Sequence, residues 1–170
     1  MPAVSKAQQH WVLPYTAGII DGEGSIGIHW HKSHKGRPRG FYSLRVTVGN
    51  TNQWLISFLQ FNFGGKIITY HRSHKNPKWA DTYHWTLYDK SASEFLKLVF
   101  PYLQIKRPQA ELAIKFQGGK RKVRTNRKIG SGNLPLTDEE WALQEANHIL
   151  MTNMNRKGIK DVPCSIKTTS

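Results

Sequence analysis

Cysteine is almost absent from this chain of 170 residues. The single Cys164 excludes an internal disulfide and any zinc site built on several thiolates. Acids are scarce: eleven Asp and Glu face twenty-five Lys and Arg, a formal net charge of +14. Between Ser25 and Lys78 there is no acid at all. No apolar run approaches the length of a membrane-spanning helix. The polar stretch from Met1 to Gln9 lacks the apolar core of a signal peptide. The expectation is a protein of the cytoplasm (nucleoid) or an organelle matrix, not secreted and with no membrane partner.

What is present is enough to fold. Hydrophobic residues make up 38% of the chain, with six Trp, six Tyr and seven Phe, which argues against global disorder. The length suits one domain. The basic excess runs along the chain rather than sitting in one tail. A folded, broadly basic domain favours a polyanion, most often nucleic acid. An acidic membrane surface is the other polyanion to weigh, but no basic amphipathic helix stands out to meet one.

Periodicity predicts the elements. Residues 1–10 read as an arm. Trp11 to Ile20 predicts a helix, with Pro14 at its start or in its first turn, ending at Gly22 or Gly24. Ser25 to His34 alternates, Ile26, Ile28 and Trp30 opposing Gly27, His29 and His31. After a basic turn, Phe41 to Gly49 alternates again, Leu44, Val46 and Val48 opposing Ser43, Arg45 and Thr47. Asn52 caps a second helix that Gly64-Gly65 closes. A second hairpin runs from Lys66 to about His71 and from Asp81 to Tyr88. Ser91-Ala92-Ser93-Glu94 reads as a capping box for a third helix, Pro108 opens a fourth, and Thr137-Asp138-Glu139-Glu140 caps a last one over 137–154. A basic loop is expected over 118–133 and a poorly ordered tail over 156–170. The order is α-β-β-α-β-β-α with extra C-terminal helices around an antiparallel four-stranded sheet, an α+β domain over 11–155.

Within the first helix, Tyr15 to Ser25 packs small residues, apolar residues and two acids together. Ala17 and Gly18 let a second backbone come close. Glu23 falls just past the helix C-terminus, where the dipole is negative. That place is poor for a lone anion and good for one holding a divalent cation; an ordinary turn glutamate is the plainer alternative. Asp21 is expected to be structural. The run Thr16-Ala17-Gly18-Ile19-Ile20-Asp21-Gly22-Glu23-Gly24 resembles the LAGLIDADG signature of homing endonucleases, with Thr16 where the family usually has leucine or another apolar residue. The resemblance spans roughly Trp11 to Phe116 and occurs once.

That resemblance implies a fold with a saddle-like sheet and a function: site-specific cleavage of both strands of DNA at a long, pseudo-palindromic target. It implies that Glu23, with the Gly22 carbonyl, holds Mg²⁺, Mn²⁺ or Ca²⁺ substituting for binding. It sets Lys106 near the scissile phosphate, and Asn50 near the place of a glutamine that orients water. A single motif implies a homodimer whose motif helices meet through Thr16, Ala17, Gly18 and Ile20. The alternative on the same fold is an RNA-splicing maturase, with intron RNA as partner, or a DNA-binding module that does not cut. A basic RNA-binding protein with a chance motif is the bland third reading.

The alternation also draws a surface for double-stranded DNA. Polar strand faces carry His29, His31, Ser33, Ser43, Arg45, Thr47, His84 and Thr86, with Thr69 and His71 assigned from the third strand. A two-stranded ribbon fits the major groove, where such side chains reach base edges. Lys35, Arg37, Arg39, Arg72, Lys75 and Lys78 extend the contact to phosphates. An ordinary solvated sheet face is the competing account, and the long acid-free stretch weighs against it. The His31/His34 and His71/His74 pairs make zinc conceivable, but without cysteine partners solvent or DNA is the more natural neighbour.

Overall fold

The structure, a computed structural model, describes residues 6–32, 40–74, 76–120 and 136–156. In chain order its elements are α1 (Lys6–Glu23), β1 (Gly24–His31), β2 (Phe41–Asn50), α2 (Gln53–Phe63), β3 (Lys66–Tyr70), β4 (Thr82–Tyr88), α3 (Asp89–Val99), α4 (Arg107–Gly119) and α5 (Asp138–Met154), with one 3-10 turn at Phe100–Tyr102. The strands form one antiparallel sheet in the order β1-β2-β4-β3. The architecture is α+β, as the periodicity predicts.

Alternation decides which face the helices cover. Ile26, Ile28, Leu44, Val46, Val48, Trp85 and Leu87 all point to one side and are buried. Against them pack Ala17 and Ile20 of α1, Ile56, Leu59 and Phe63 of α2, Phe95 and Leu96 of α3, and Ala113 of α4. Trp85 anchors the middle. Its ring stands edge-on to Phe95, 5.2 Å between centroids, and its Nε1 donates to the Gly64 carbonyl at 2.6 Å. Gly64 and Gly65 have φ of 68° and 96°, left-handed values that glycine adopts without strain, so the pair that closes α2 also turns the chain into β3.

Side-chain caps explain the starts of α2 and α5. Asn52 Oδ1 accepts from the Leu55 N–H, and Thr137 and Glu140 make the reciprocal capping box of α5. Two boundaries differ from the sequence reading. α1 begins at Lys6, so Pro14 lies inside the helix rather than in its first turn. Residues 6–9 are Lys-Ala-Gln-Gln, all good helix formers, and an exposed proline costs one backbone bond without breaking the rod. α3 begins at Asp89, and Ser91 to Glu94 are already helical rather than a capping box. Asp89 enters with φ of 43°, and its carboxylate accepts from the Leu44 N–H at 3.2 Å and from Lys120 Nζ at 2.8 Å.

β1 is an outer strand, and α5 covers its edge. His148 Nδ1 donates to the Ile28 carbonyl at 2.6 Å, and Asn155 Nδ2 donates to the Ile26 carbonyl at 2.8 Å. These bonds satisfy strand carbonyls that have no partner strand. Among the described residues no helix is long and apolar enough to cross a membrane.

Candidate functional site

α1 runs into β1 without a loop. A Cβ on Gly24 would fall 2.7 Å from the Ile20 carbonyl oxygen, so only glycine permits this junction. The connector before α4 then locks the helix end. Asp21 Oδ2 accepts from the Gln104 N–H and Oδ1 from the Lys106 N–H, both at 2.8 Å. Lys106 Nζ returns the contact, donating to the Ile20 carbonyl at 2.9 Å and to the Asp21 carbonyl at 2.5 Å. An ammonium on the last carbonyls of a helix complements its dipole. Burial holds the Lys106 pKa below its ordinary value, while the carboxylates of Asp21 and Glu23 oppose that shift.

These bonds divide the two acids. Both oxygens of Asp21 hold backbone N–H groups, which makes it structural. Glu23 stands exposed beyond the helix end, within electrostatic range of Lys106. Two of the three ammonium hydrogens of Lys106 are engaged, leaving one for another acceptor. Asn50 ends β2. It pairs with Tyr83 of β4 and stands two residues beyond Val48, which faces Gly24 at the start of β1, so it lies at the end of the sheet where α1 enters. Its Oδ1 accepts from the Asn52 N–H at 2.8 Å. Among the described residues no three His, Cys, Asp or Glu side chains gather as a metal cage.

The sheet face away from the helices is open. From β1 and β2 it presents His29, His31, Ser43, Arg45 and Thr47, and from β4 His84 and Thr86, as the alternation predicts. Not all are equally available. His31 Nε2 and Ser43 Oγ share a 2.6 Å hydrogen bond, and the His31 ring stacks on Phe41. Ser43 and Thr86 are buried among their neighbours.

The third strand corrects the sequence reading. Ile67 pairs with the buried Trp85 and Thr69 with Tyr83, so Thr69 points to the helix side. His71 lies beyond the strand end. β3 instead gives the open face Lys66, Ile68 and Tyr70. The Ile67-Ile68 doublet has no period of two, so only the buried cross-strand partner reveals the facing. Beyond β3, Asp81 organises the hairpin connection. It accepts from the Ser73 N–H at 3.0 Å, Ser73 Oγ at 2.7 Å and His71 Nδ1 at 2.8 Å, and these bonds hold its carboxyl far below the usual range. Arg72 and Lys78 are exposed on this connection. Ser33, Lys35, Arg37, Arg39 and Lys75 lie outside the described residues, as does most of the basic segment 118–133.

The outward side of α1 is a second correction. Thr16, Ala17 and Ile20 are fully buried in the chain's own core, so they cannot meet a second copy. Helical phase turns Gly18 and Gly22 outward instead, and a Cβ on either would meet nothing within 4 Å. Beside them an aromatic flank extends onto α2. Trp11 stacks on Phe58 at 5.8 Å, Trp54 stacks on Phe58 at 5.6 Å, and Tyr15 stands edge-on to Phe58 at 5.5 Å. Trp54 is 64% exposed and Phe61 76%.

No protein-family model matches the chain, and no curated protein matches it in sequence. Solved structures do match in fold. The homing endonuclease I-CvuI, crystallised on the I-CreI target with 2 mM Mg and the DNA not cleaved, superposes with a TM-score of 0.67 at 16% identity, over 91% of this chain and 87% of that one. The archaeal intron-encoded homing endonuclease I-Vdi141I, complexed with DNA, gives 0.65 at 14% identity, over 89% of each chain. The LAGLIDADG homing endonuclease I-SmaMI, bound to cleaved DNA, gives 0.62 at 16% identity over 85% of this chain, which spans 45% of that one. The protein therefore has the fold of the LAGLIDADG homing endonucleases.

Proposed function

We propose that this protein is a site-specific, divalent-metal-dependent DNA endonuclease that acts as a homodimer. The observation that carries the reading is the pairing of an acid-free open sheet face with one exposed carboxylate, Glu23, at the end of the helix that abuts it. A polyanion can lie on that face without meeting a like charge, and its backbone then passes a carboxylate placed to share a divalent ion with it. The comparison structures carry DNA on the same fold.

The donor set fits such an ion, because Mg²⁺ takes one or two carboxylates and completes its shell with water and phosphate oxygens. Glu23 and the Gly22 carbonyl would hold it, and when bound it supplies charge neutralisation at the cleaved phosphodiester and an acidified water. Lys106, pinned to the helix end, directs its remaining N–H at charge that builds on the phosphate. Asp21 takes no part beyond holding Lys106 and the connector in place.

One Glu23 per chain serves one strand, so cutting a duplex calls for two copies. Gly18 and Gly22 allow two α1 helices to pack closely, and the flank of Trp11, Tyr15, Trp54 and Phe61 supplies apolar area to bury alongside. I-SmaMI, of which this chain spans 45%, has about the length that two copies would provide.

The test uses purified protein, its selected DNA and Mg²⁺. Wild type cuts both strands, and Glu23→Gln binds with unchanged affinity while its cleavage rate falls by about 100-fold or more. Wild type that binds and never cuts under any divalent metal leaves a DNA-binding module instead, and preference for a structured intron RNA over DNA leaves the splicing reading. A complex whose sedimentation mass holds one chain per duplex refutes the dimer.

A further inference from the structure

Two glycines stand on the open face where side chains would otherwise project, Gly27 on β1 and Gly49 on β2. Each lies beneath a histidine ring. A Cβ on Gly27 would fall 2.6 Å from His29 Nε2, and one on Gly49 would fall 2.9 Å from His84 Cε1. The His29 ring thus folds back along its own strand into the space that Gly27 leaves. The ladder sets Gly27 directly opposite Arg45, so the folded-back ring lies beside that residue and within reach of its charge. The seat is firm, because α5 holds the carbonyls on either side of Gly27 through His148 and Asn155.

We propose that Gly27, His29 and Arg45 form a subsite for one G·C base pair in each half of the DNA target. It rests on the DNA binding and the two-copy arrangement proposed above. Arg45 presents forked N–H donors, which suit the adjacent N7 and O6 acceptors of guanine. Burial first, then the charges of Arg45, His31 and His148, lower the His29 pKa to about 4, so the imidazole is neutral at physiological pH. A neutral imidazole keeps one unprotonated nitrogen, which accepts from the N4 amino group of cytosine. Donor, donor and acceptor in a row complement the acceptor, acceptor and donor of a G·C edge. An A·T edge offers an amino group where Arg45 needs an acceptor. Gly27 touches no base. It is a positioning residue that sets the height and tilt of the ring.

The experiment is selection of binding sites by the full-length chain from a pool of randomised duplexes. Wild type enriches G·C at one position in each half-site. Arg45→Ala removes the donors that guanine needs, so discrimination at that position drops by about 5- to 150-fold while other positions hold. Gly27→Ala displaces the ring and weakens the same position, yet adds nothing in a His29→Ala background, since its effect passes through His29. A preserved G·C preference in these variants overturns the subsite, and so does a loss spread evenly over all positions. Should Gly27→Ala lose its thermal transition, Arg45→Ala and His29→Ala carry the same decision. A wild type that enriches no sequence removes the DNA-binding reading and the subsite with it, whereas a selective wild type with unaffected variants removes the subsite alone.

Discussion

The two hairpins do the same geometric task with different means. β1 and β2 run for eight and ten residues and spread their burial over Ile26, Ile28, Leu44, Val46 and Val48. Their outer edge is closed by side chains of α5. β3 and β4 run for five and seven residues, and their burial centres on Trp85. β3 is the outer strand on that side, with Lys66, Ile68 and Tyr70 exposed. A strand pair can thus be held by many modest contacts plus an edge cover, or by one large ring with its own hydrogen bond. The first arrangement stands beside Glu23; the second forms the outer side of the sheet.

Three measurements test that contrast. The largest effect falls on the second hairpin: Trp85→Ala empties the site between Phe95 and Gly64 and costs about 3–5 kcal/mol in chemical denaturation, against about 2 kcal/mol for Val46→Ala in the first. Equal losses at the two positions would refute the contrast. Next comes the edge cover. His148→Ala with Asn155→Ala removes two hydrogen bonds and costs about 2 kcal/mol together, with amide exchange quickening in β1 while β3 is unchanged. Smallest is a pH effect. The folded chain holds His29 at about 4, below its ordinary 6.5, so the unfolded chain binds that proton more readily. Its contribution to stability is complete above about pH 6.5 and is lost as the pH falls toward 4. The urea midpoint of wild type should fall more over that window than that of His29→Gln; parallel curves would show that the ring is not desolvated.

Legibility tracked how local each signal is. Alternation in residues 25–30 and 41–49 gave the first hairpin and its facing, because a period of two is a property of neighbours along the chain. The caps at Asn52 and Thr137 were readable for the same reason. The facing of β3 was not, since Ile67 and Ile68 are alike until Trp85 is seen opposite one of them. The outward side of α1 was not readable either. Small residues at 16, 17 and 18 look equivalent in a line, but 100° per residue sends Ala17 inward and Gly18 outward. The covering of the β1 edge joins residues 120 and more positions apart, which no local pattern carries.

The charge, the element order, the acid-free face and the motif that ends on Glu23 follow from composition and short-range period alone. Only the tertiary structure decided that Asp21 is spent on the backbone of 104 and 106, that Lys106 caps the helix beside Glu23, and that His29 lies down over Gly27 next to Arg45. Each of these is a meeting of groups whose partners become neighbours only when strands register and helix ends dock, and hydrogen-bond geometry has no counterpart along a one-dimensional chain.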